Sequence, residues 1–118
     1  MVITLCGSTK FKKEFEEIAQ KLALEGHAVL SVNMFAHADN IELTAEQKIM
    51  LDNEHKEKIN ASDAIFVINK DGYIGESTFS EIDWAQRMKK QVYFLENPNP
   101  EEENTEEKTE SEPSPDIK

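Results

Sequence analysis

Short apolar runs alternate with longer amphipathic runs over most of this chain. The short runs are rich in β-branched and other apolar side chains, a pattern typical of buried strands. They predict four strands, at Val2–Cys6, Ala28–Val32, Ala64–Ile68 and Val92–Leu95.

Three helices are predicted in the intervals, over Lys10–Glu25, Thr44 to about Ala61, and Ser77–Lys90. In the first, apolar residues recur at spacings of four, three and four, and Gly26 follows as a stop signal. The second begins with an S/T-x-x-E/Q capping box at Thr44–Gln47. Either Ser77 or Thr78 can cap the third.

The alternation of strands and helices predicts an α/β fold. Because the strands are continuous apolar runs, we expect a parallel sheet covered on both faces. Right-handed crossovers then favour a small doubly wound sheet with strand order 2-1-3-4. Ligands of such sheets bind beyond the carboxyl ends of the strands, here at residues 7–9, 33–39 and 69–78.

Composition divides the chain of 118 residues into two parts. Residues 97–118 hold all four prolines, eight acids and two lysines, and so carry −6 of the net charge of −11. Such a segment buries too little apolar surface to fold, and we predict a disordered acidic tail. The predicted α/β domain therefore covers residues 1–96.

The acidic charge disfavours DNA, RNA and anionic membranes as partners, although a few local donors could still hold a nucleotide. Cys6 is the only cysteine, so neither an intramolecular disulfide nor a zinc site built on cysteine pairs is expected. The sequence shows no membrane span or signal peptide. We expect a cytoplasmic protein without a metal or cofactor.

The first predicted ligand loop is Gly7-Ser8-Thr9, which leads into the first helix. A glycine, two hydroxyls and free backbone N–H groups suit a phosphate or a carboxylate. Ordinary capping of the helix by a hydroxyl explains the same residues equally well. The loop matches neither G-x-x-x-x-G-K-[ST] nor G-x-G-x-x-G, which disfavours ATP hydrolysis and dinucleotide binding.

The stretch GYIGESTFSEIDWA, residues 72–85, is richer in candidate chemistry. Gly72 and Gly75 permit tight turns after the third strand, and Glu81 follows one turn into the third helix. The start of a helix stabilises an ionised carboxylate, the form that a glycosidase nucleophile needs. The same dipole effect favours a glutamate there for structural reasons alone.

The second helix contributes an Asp–His pair. Asp52 and His55 share a face with Ile59, and an aspartate one turn before a histidine can orient the imidazole and raise its pKa. Such a histidine could donate a proton. The alternative is a surface pair on a charged helix.

Two further segments carry weaker signals. His37 and Asp39 follow the second strand but lack a third metal ligand at a useful spacing. Asp63, before the third strand, suits loop capping as well as ligand binding.

Three segments in order resemble the nucleoside 2-deoxyribosyltransferase superfamily, which includes deoxynucleoside 5′-monophosphate N-glycosidases. They are Cys6-Gly7-Ser8, Ser62-Asp63, and Ser77-Thr78-x-x-Glu81-Ile82-x-x-Ala85. The resemblance spans most of residues 2–96, although the identities are short. H-x-x-K-I from His55 and G-Y-I-G-E-S-T from Gly72 are more similar still to an uncharacterised bacterial subset.

The resemblance implies a flavodoxin-like fold, cleavage of the N-glycosidic bond of a 2-deoxynucleoside or its monophosphate, and a homo-oligomer. Glu81 matches the nucleophile of the family. Gly7, Ser8, Ser77 and Thr78 match residues that contact the sugar or its 5′ group.

This chain also departs from the family pattern. His55 stands where the family usually has an aspartate, Phe79 and Ser80 replace small residues, and the loop at residues 33–43 is short. Three hypotheses follow: an N-glycosidase or deoxyribosyltransferase with catalytic Glu81, His55 and Asp52; a non-catalytic nucleotide-binding module; and an interaction protein that acts through its acidic tail. A substrate cradle of Gly7, Ser8, Thr9, Gly75, Ser77 and Thr78 is expected for the enzyme.

Overall fold

A computed structural model describes residues 1–33 and 42–98 of the chain. The strands are β1 (Val2–Gly7), β2 (Ala28–Leu30), β3 (Ala64–Ile68) and β4 (Gln91–Phe94). The α-helices are α1 (Lys12–Leu24), α2 (Ala45–Asn60) and α3 (Glu76–Arg87). Short 3-10 turns, Thr9–Phe11 and Lys70–Gly72, follow β1 and β3.

The four strands form one parallel sheet in the order β2-β1-β3-β4, which confirms the predicted topology. Strand order reverses next to β1, since the chain moves from β1 outward to β2 and then returns to β3 on the other side. The register pairs Gly7 with Ile68, so β1 and β3 end together. This is the edge at which a doubly wound sheet binds its ligand.

Side chains of β1 alternate between two apolar cores, one on each face of the sheet. Ile3 and Leu5 pack with α1 in a core that includes Phe15 and Leu22. Cys6 lies on the opposite face, in a core that α2 and α3 complete with Ile59 and Ile82, among others. The continuous burial of β3 follows from its position between both cores.

Element boundaries differ from the sequence prediction by more than one residue in three elements. The first helix is preceded by a 3-10 turn, and so begins at Lys12 rather than Lys10. β2 ends at Leu30, the last residue that pairs with β1, because this edge strand has a neighbour on one side only. The third helix begins at Glu76 and ends at Arg87, and Lys89 then adopts a positive φ of 62°.

The cap of the third helix was predicted wrongly. Gly75 occupies the N-cap and makes no side-chain cap bond, whereas Ser77 and Thr78 lie inside α3. The second helix was predicted correctly in this respect. The hydroxyl of Thr44 accepts from the Gln47 backbone, and the Gln47 side chain accepts from the Thr44 backbone.

The predicted acidic tail lies outside the described residues from Asn99 onward, and it stays a prediction. Among the described helices, none combines the length and the apolar character needed to cross a bilayer.

Candidate functional site

A cleft of about 370 Å³ opens at the carboxyl edge of the sheet, between the end of β1, the segment after β2, and helices α2 and α3. Six of the candidate catalytic and substrate-binding residues predicted from the sequence line this cleft: Gly7, Thr9, Asp52, His55, Ser77 and Glu81. The remaining lining residues are Val32, Asn33, Leu43, Lys48, Ile49, Leu51 and Glu54.

Three elements bring Cys6, His55 and Glu81 together at the buried end of this cleft. Cys6 points from β1 toward the face that α2 and α3 cover. His55 and Ile59 are the buried residues of α2, four positions apart and therefore on one face. Glu81 belongs to the buried face of α3 with Thr78, Ile82 and Ala85. The apolar neighbours on each element thus direct these polar side chains inward.

The three side chains are in mutual contact. The Sγ atom of Cys6 lies 3.5 Å from Nε2 of His55, and that Nε2 lies 3.8 Å from Oε1 of Glu81. The thiol of Cys6 also hydrogen-bonds to the Glu81 carboxylate. Glu81 is only 6% exposed and His55 4%. Neither the surface carboxylate nor the surface Asp–His pair considered from sequence describes these residues.

The pKa of Glu81 is raised from 4.5 to about 7, chiefly because burial penalises the ionised form. The negative charge of Asp52 contributes to this rise, while the Cys6 hydrogen bond and the positive charge of Lys56 oppose it. The sequence had suggested that the helix start would favour the ionised form. In the folded protein, the cost of burial outweighs that effect.

Burial has the opposite effect on His55 and lowers its pKa from 6.5 to about 4. The positive charge of Lys58 adds to this, and Glu54, the Leu5 backbone and Asp52 offset it only in part. Asp52 therefore raises the His55 pKa as expected, but burial outweighs this effect, so the net rise predicted for the Asp–His pair is wrong. At neutral pH the imidazole is uncharged.

Asp52 links the two helices that bound the cleft. Its Oδ1 atom accepts a hydrogen bond from the Ser77 hydroxyl at 3.5 Å, which connects α2 to the first turn of α3. Its electrostatic effect on Glu81 ranks second after burial, whereas its effect on His55 is the smallest of those that act there.

The loop after β1 approaches β3 closely. Gly7 has a φ of 148°, and a Cβ atom there would lie 2.8 Å from the Ile68 carbonyl oxygen, so only glycine fits. Ser8 caps the following 3-10 turn by accepting a hydrogen bond from the Lys10 backbone. Thr9, like Gly7, lines the cleft.

Two other residues of the predicted cradle belong to the framework of α3. Gly75 is the N-cap of α3, and Thr78 is buried in that helix at 4% exposure. Together with Ser8, they are absent from the cleft lining formed by the described residues.

Lys48 and Asn33 are among the cleft residues that the sequence analysis did not single out as candidates, although Asn33 belongs to the ligand segment predicted at residues 33–39. Lys48 supplies a cation on α2, and Asn33 follows β2 and donates a hydrogen bond to Glu54 at 3.0 Å. A signal for Lys48 was present, because it precedes Asp52 by four residues and His55 by seven, on the same helix face. Asn33 has no comparable periodic signal.

Of the weaker candidates from the sequence, Asp63 has a structural role, and the other two lie outside the described residues. The Oδ2 atom of Asp63 accepts a hydrogen bond from the Val2 backbone at 2.7 Å, so it joins the start of β1 to the segment before β3. This supports the capping interpretation. His37 and Asp39 lie outside the described residues.

Solved structures with a similar fold were found for this chain. One is the CMP N-glycosidase BcmB of Clostridium botulinum, with a TM-score of 0.54 and 23% identity over 80% of this chain. Another is a 2-deoxyribosyltransferase of Leishmania mexicana, with a TM-score of 0.58 and 18% identity over 79% of this chain. The sequence matches no protein-family model and no curated protein.

These similarities establish a shared fold. The chain spans 67% of the length of the first protein and 62% of the second. They confirm the fold that the resemblance to the nucleoside 2-deoxyribosyltransferase superfamily implied.

Proposed function

We propose that this protein cleaves or transfers the N-glycosidic bond of a 2-deoxynucleoside or its 5′-monophosphate, with Glu81 as the nucleophile. The observation that carries the proposal is the position of Glu81, whose carboxylate lies buried in the cleft within 3.8 Å of a second titratable side chain, His55. Burying an ionised carboxylate without a partner costs free energy. Residues in a cleft whose pKa values are strongly shifted are therefore candidates for catalytic groups.

The cleft has the dimensions and polarity of a small-molecule site. Its volume of about 370 Å³ falls in the usual range for ligand pockets. Apolar residues such as Val32 and Leu43 offer contacts for a base. Hydroxyl groups of Thr9 and Ser77 can bind a sugar. The fold-level similarity to an N-glycosidase and a deoxyribosyltransferase supports the same substrate class.

The Glu81–His55 pair holds the one proton that the first step requires. At rest the proton is on Glu81, since burial favours the neutral forms of both groups. When the substrate binds, this proton moves to Nε2 of His55 and the freed carboxylate attacks C1′ of the sugar. The C1′–N bond breaks, its electrons pass to the base, and His55 donates the proton to that base. The products are a glycosyl ester on Glu81, a neutral base and a neutral imidazole.

The second step reverses the roles of the pair. A water molecule, or a second base for a transfer reaction, gives a proton to His55 as it bonds to C1′. The ester C1′–O bond breaks, and the carboxylate recovers its proton from His55. Asp52 contributes indirectly, because its negative charge raises the pKa of Glu81 and keeps the proton on the pair.

The substrate cradle is proposed to consist of Gly7, Thr9 and Ser77, which line the cleft. Ser8, Gly75 and Thr78 support it by shaping the loop after β1 and the start of α3.

A non-catalytic binding module is the alternative, because His55 replaces the aspartate that the related family usually has at this position. Base release separates the two proposals. The protein is incubated with a mixed pool of deoxynucleosides and their 5′-monophosphates in the presence of a chelator, and free bases are separated by chromatography.

Glu81→Ala and Glu81→Gln are expected to abolish base release, while binding of the same compound, measured by calorimetry, persists. Glu76→Gln is the matched control, since Glu76 is an exposed carboxylate in the first turn of the same helix. If folded wild-type protein binds a member of the pool but releases no base from any, the binding-module function replaces the enzyme.

The homo-oligomer stays a prediction. Three large apolar side chains are exposed: Ile49, which lines the cleft, by 60%, Met50 by 66% and Phe79 by 68%. Light scattering after size exclusion tests the prediction, and a monomer at assay concentrations contradicts it.

A further inference from the structure

Cys6, His55 and Glu81 bring a sulfur, a nitrogen and an oxygen donor to one point. The Sγ, Nε2 and carboxylate oxygen atoms all lie within 4.8 Å of one another. All three side chains are buried, and Cys6 is fully so. Each comes from a different element, β1, α2 or α3, so the core on this face of the sheet holds the donors in place.

The spacing of the donors fits a tetrahedral metal ion. Bonds of about 2.3 Å to sulfur and about 2.0–2.2 Å to nitrogen and oxygen, at tetrahedral angles, separate neighbouring ligands by roughly 3.4–3.6 Å. The Cys6–His55 distance is 3.5 Å and the His55–Glu81 distance is 3.8 Å. The second distance exceeds this range by a few tenths of an ångström, and the distance from Sγ of Cys6 to the Glu81 carboxylate oxygen is at most 4.8 Å.

The donor types select among metals. A thiolate, an imidazole and a carboxylate form a set of borderline softness, which suits Zn²⁺ and related transition ions and disfavours Mg²⁺ and Ca²⁺. A thiolate and a carboxylate would together neutralise a divalent cation, so the loaded site carries no net charge in a buried place. The neighbouring carboxylates of Asp52 and Glu54, which line the cleft, favour entry of a cation.

We propose that Cys6, His55 and Glu81 form a binding site for a divalent cation of the zinc class, with its fourth coordination position open to the cleft. His55 and Glu81 line the cleft, so a water molecule or another small ligand can reach the ion there. Because the ion occupies the Glu81 carboxylate, loading of the site blocks nucleophilic attack by that residue. This inhibitory consequence rests on the proposed function, but the binding site does not.

Cobalt is the probe that tests thiolate ligation directly. The full-length chain is stripped with a chelator, dialysed and titrated with Co²⁺. We expect one equivalent of Co²⁺ to produce two signals. The first is a thiolate-to-cobalt charge-transfer absorption in the near ultraviolet, and the second is a set of visible absorption bands with the high intensity typical of tetrahedral Co²⁺. Zn²⁺ should then abolish both signals by displacement. Since Cys6 is the only cysteine, this absorption reports on one site. A chain that is folded and gives no charge-transfer absorption overturns the proposal.

Variants identify the other two ligands. His55→Gln and Glu81→Gln are each expected to weaken Zn²⁺ binding at least about tenfold, measured by competition with a chromophoric indicator. His27→Gln is the matched control, because His27 contacts the amino terminus of the chain and lies outside the cluster. Equal affinity in all three variants overturns the site. Circular dichroism checks that each variant is folded. If a variant is unfolded, the cobalt spectrum of the wild-type protein alone decides whether the metal site exists.

The two proposals fail in different ways. Base release is measured with a chelator present, whereas metal binding is measured without substrate. If the metal binds and no base is released, the glycosidic function is wrong and the metal site stands. If base is released and Zn²⁺ neither binds nor inhibits, the metal site is wrong and the function stands.

Discussion

Nε2 of His55 and Oε1 of Glu81 lie 3.8 Å apart in a region of the protein that excludes almost all solvent. Burial moves their pKa values in opposite directions, to about 4 for the imidazole and about 7 for the carboxyl group. Between these values the two side chains together hold one proton and no net charge.

The first prediction concerns the pH dependence of base release. If the one-proton form of the pair is the active one, kcat/KM is highest between about pH 4 and about pH 7 and falls roughly tenfold per pH unit above that range. Burial of Glu81 is the main cause of the upper limb, and Asp52, Cys6 and Lys56, which face Glu81 from α2 and β1, modify it. Initial rates in chelator-treated protein check this. A rate that continues to rise from pH 7 to pH 9 would show that Glu81 acts as a bare carboxylate without a shared proton.

The second prediction concerns stability. Because the pKa of Glu81 is higher in the folded state, its carboxyl group binds more protons there than in the unfolded chain between about pH 4.5 and about 7. The contribution of Glu81 to the free energy of unfolding therefore falls as pH rises through this window. The contribution of His55 rises between about pH 4 and pH 6.5, since its pKa is lowered, and comparison with a Glu81 variant isolates the first effect. Glu81→Gln removes the cost of a buried charge, and we expect the variant to be more stable than the wild type at pH 8 by about 2 kcal/mol.

Urea unfolding of chelator-treated protein at pH 5 and pH 8 measures this difference. At pH 5 the advantage of Glu81→Gln should largely disappear, because the wild-type carboxyl group is then protonated. Glu76→Gln, which changes an exposed residue of the same helix, should show no such pH dependence. A Glu81→Gln variant that is less stable than the wild type at both pH values contradicts the prediction.

The third prediction tests the close approach of the loop after β1 to β3. In Gly7→Ala, the new Cβ would lie 2.8 Å from the Ile68 carbonyl oxygen, and the backbone has a φ of 148°. We expect the loss in the free energy of unfolding to be about 3 kcal/mol, because strain and a clash combine. Gly26→Ala is the control, since its φ is 97° and nothing lies within 4 Å of its Cβ position. That change should cost only about 1 kcal/mol.

The same pair of variants also separates stability from binding. Gly7 lines the cleft and Gly26 follows α1. Calorimetry with a compound from the base-release pool should therefore show weaker binding for Gly7→Ala and unchanged binding for Gly26→Ala. Equal effects of both changes on stability would mean that Ile68 and its strand yield to the added methyl group.

The fourth prediction concerns the capping box of α2. Thr44 and Gln47 exchange side-chain hydrogen bonds of 3.0 Å with each other's backbone. Thr44→Ala should cost about 1 kcal/mol in the free energy of unfolding, because the Gln47 N–H loses its acceptor. A double-mutant cycle with Gln47→Ala, followed by urea unfolding, measures the coupling between the two residues. Strictly additive losses would show that the reciprocal cap is not cooperative.

The architecture of this protein follows from local sequence patterns. Apolar runs such as Ala64–Ile68, the capping box at Thr44, and the alternation of strands with helices specify each element through interactions between near neighbours. Because parallel strands require crossovers of one hand, these elements leave few arrangements, and the order 2-1-3-4 follows. Local pattern also placed Gly7, Asp52, Ser77 and Glu81 near the carboxyl edge of the sheet.

Which side chains meet, and how they ionise, depends instead on the packing of the elements against one another. Cys6 and His55 are 49 positions apart in the chain, and their contact depends on how α2 is rotated on the sheet. No local sequence pattern specifies the rotation of α2. Helix position and the neighbouring Asp52 suggested an ionised Glu81 and a more basic His55, but desolvation of both side chains by the packed core reversed both expectations. Desolvation depends on everything that surrounds a group, so it arises only when the core has formed.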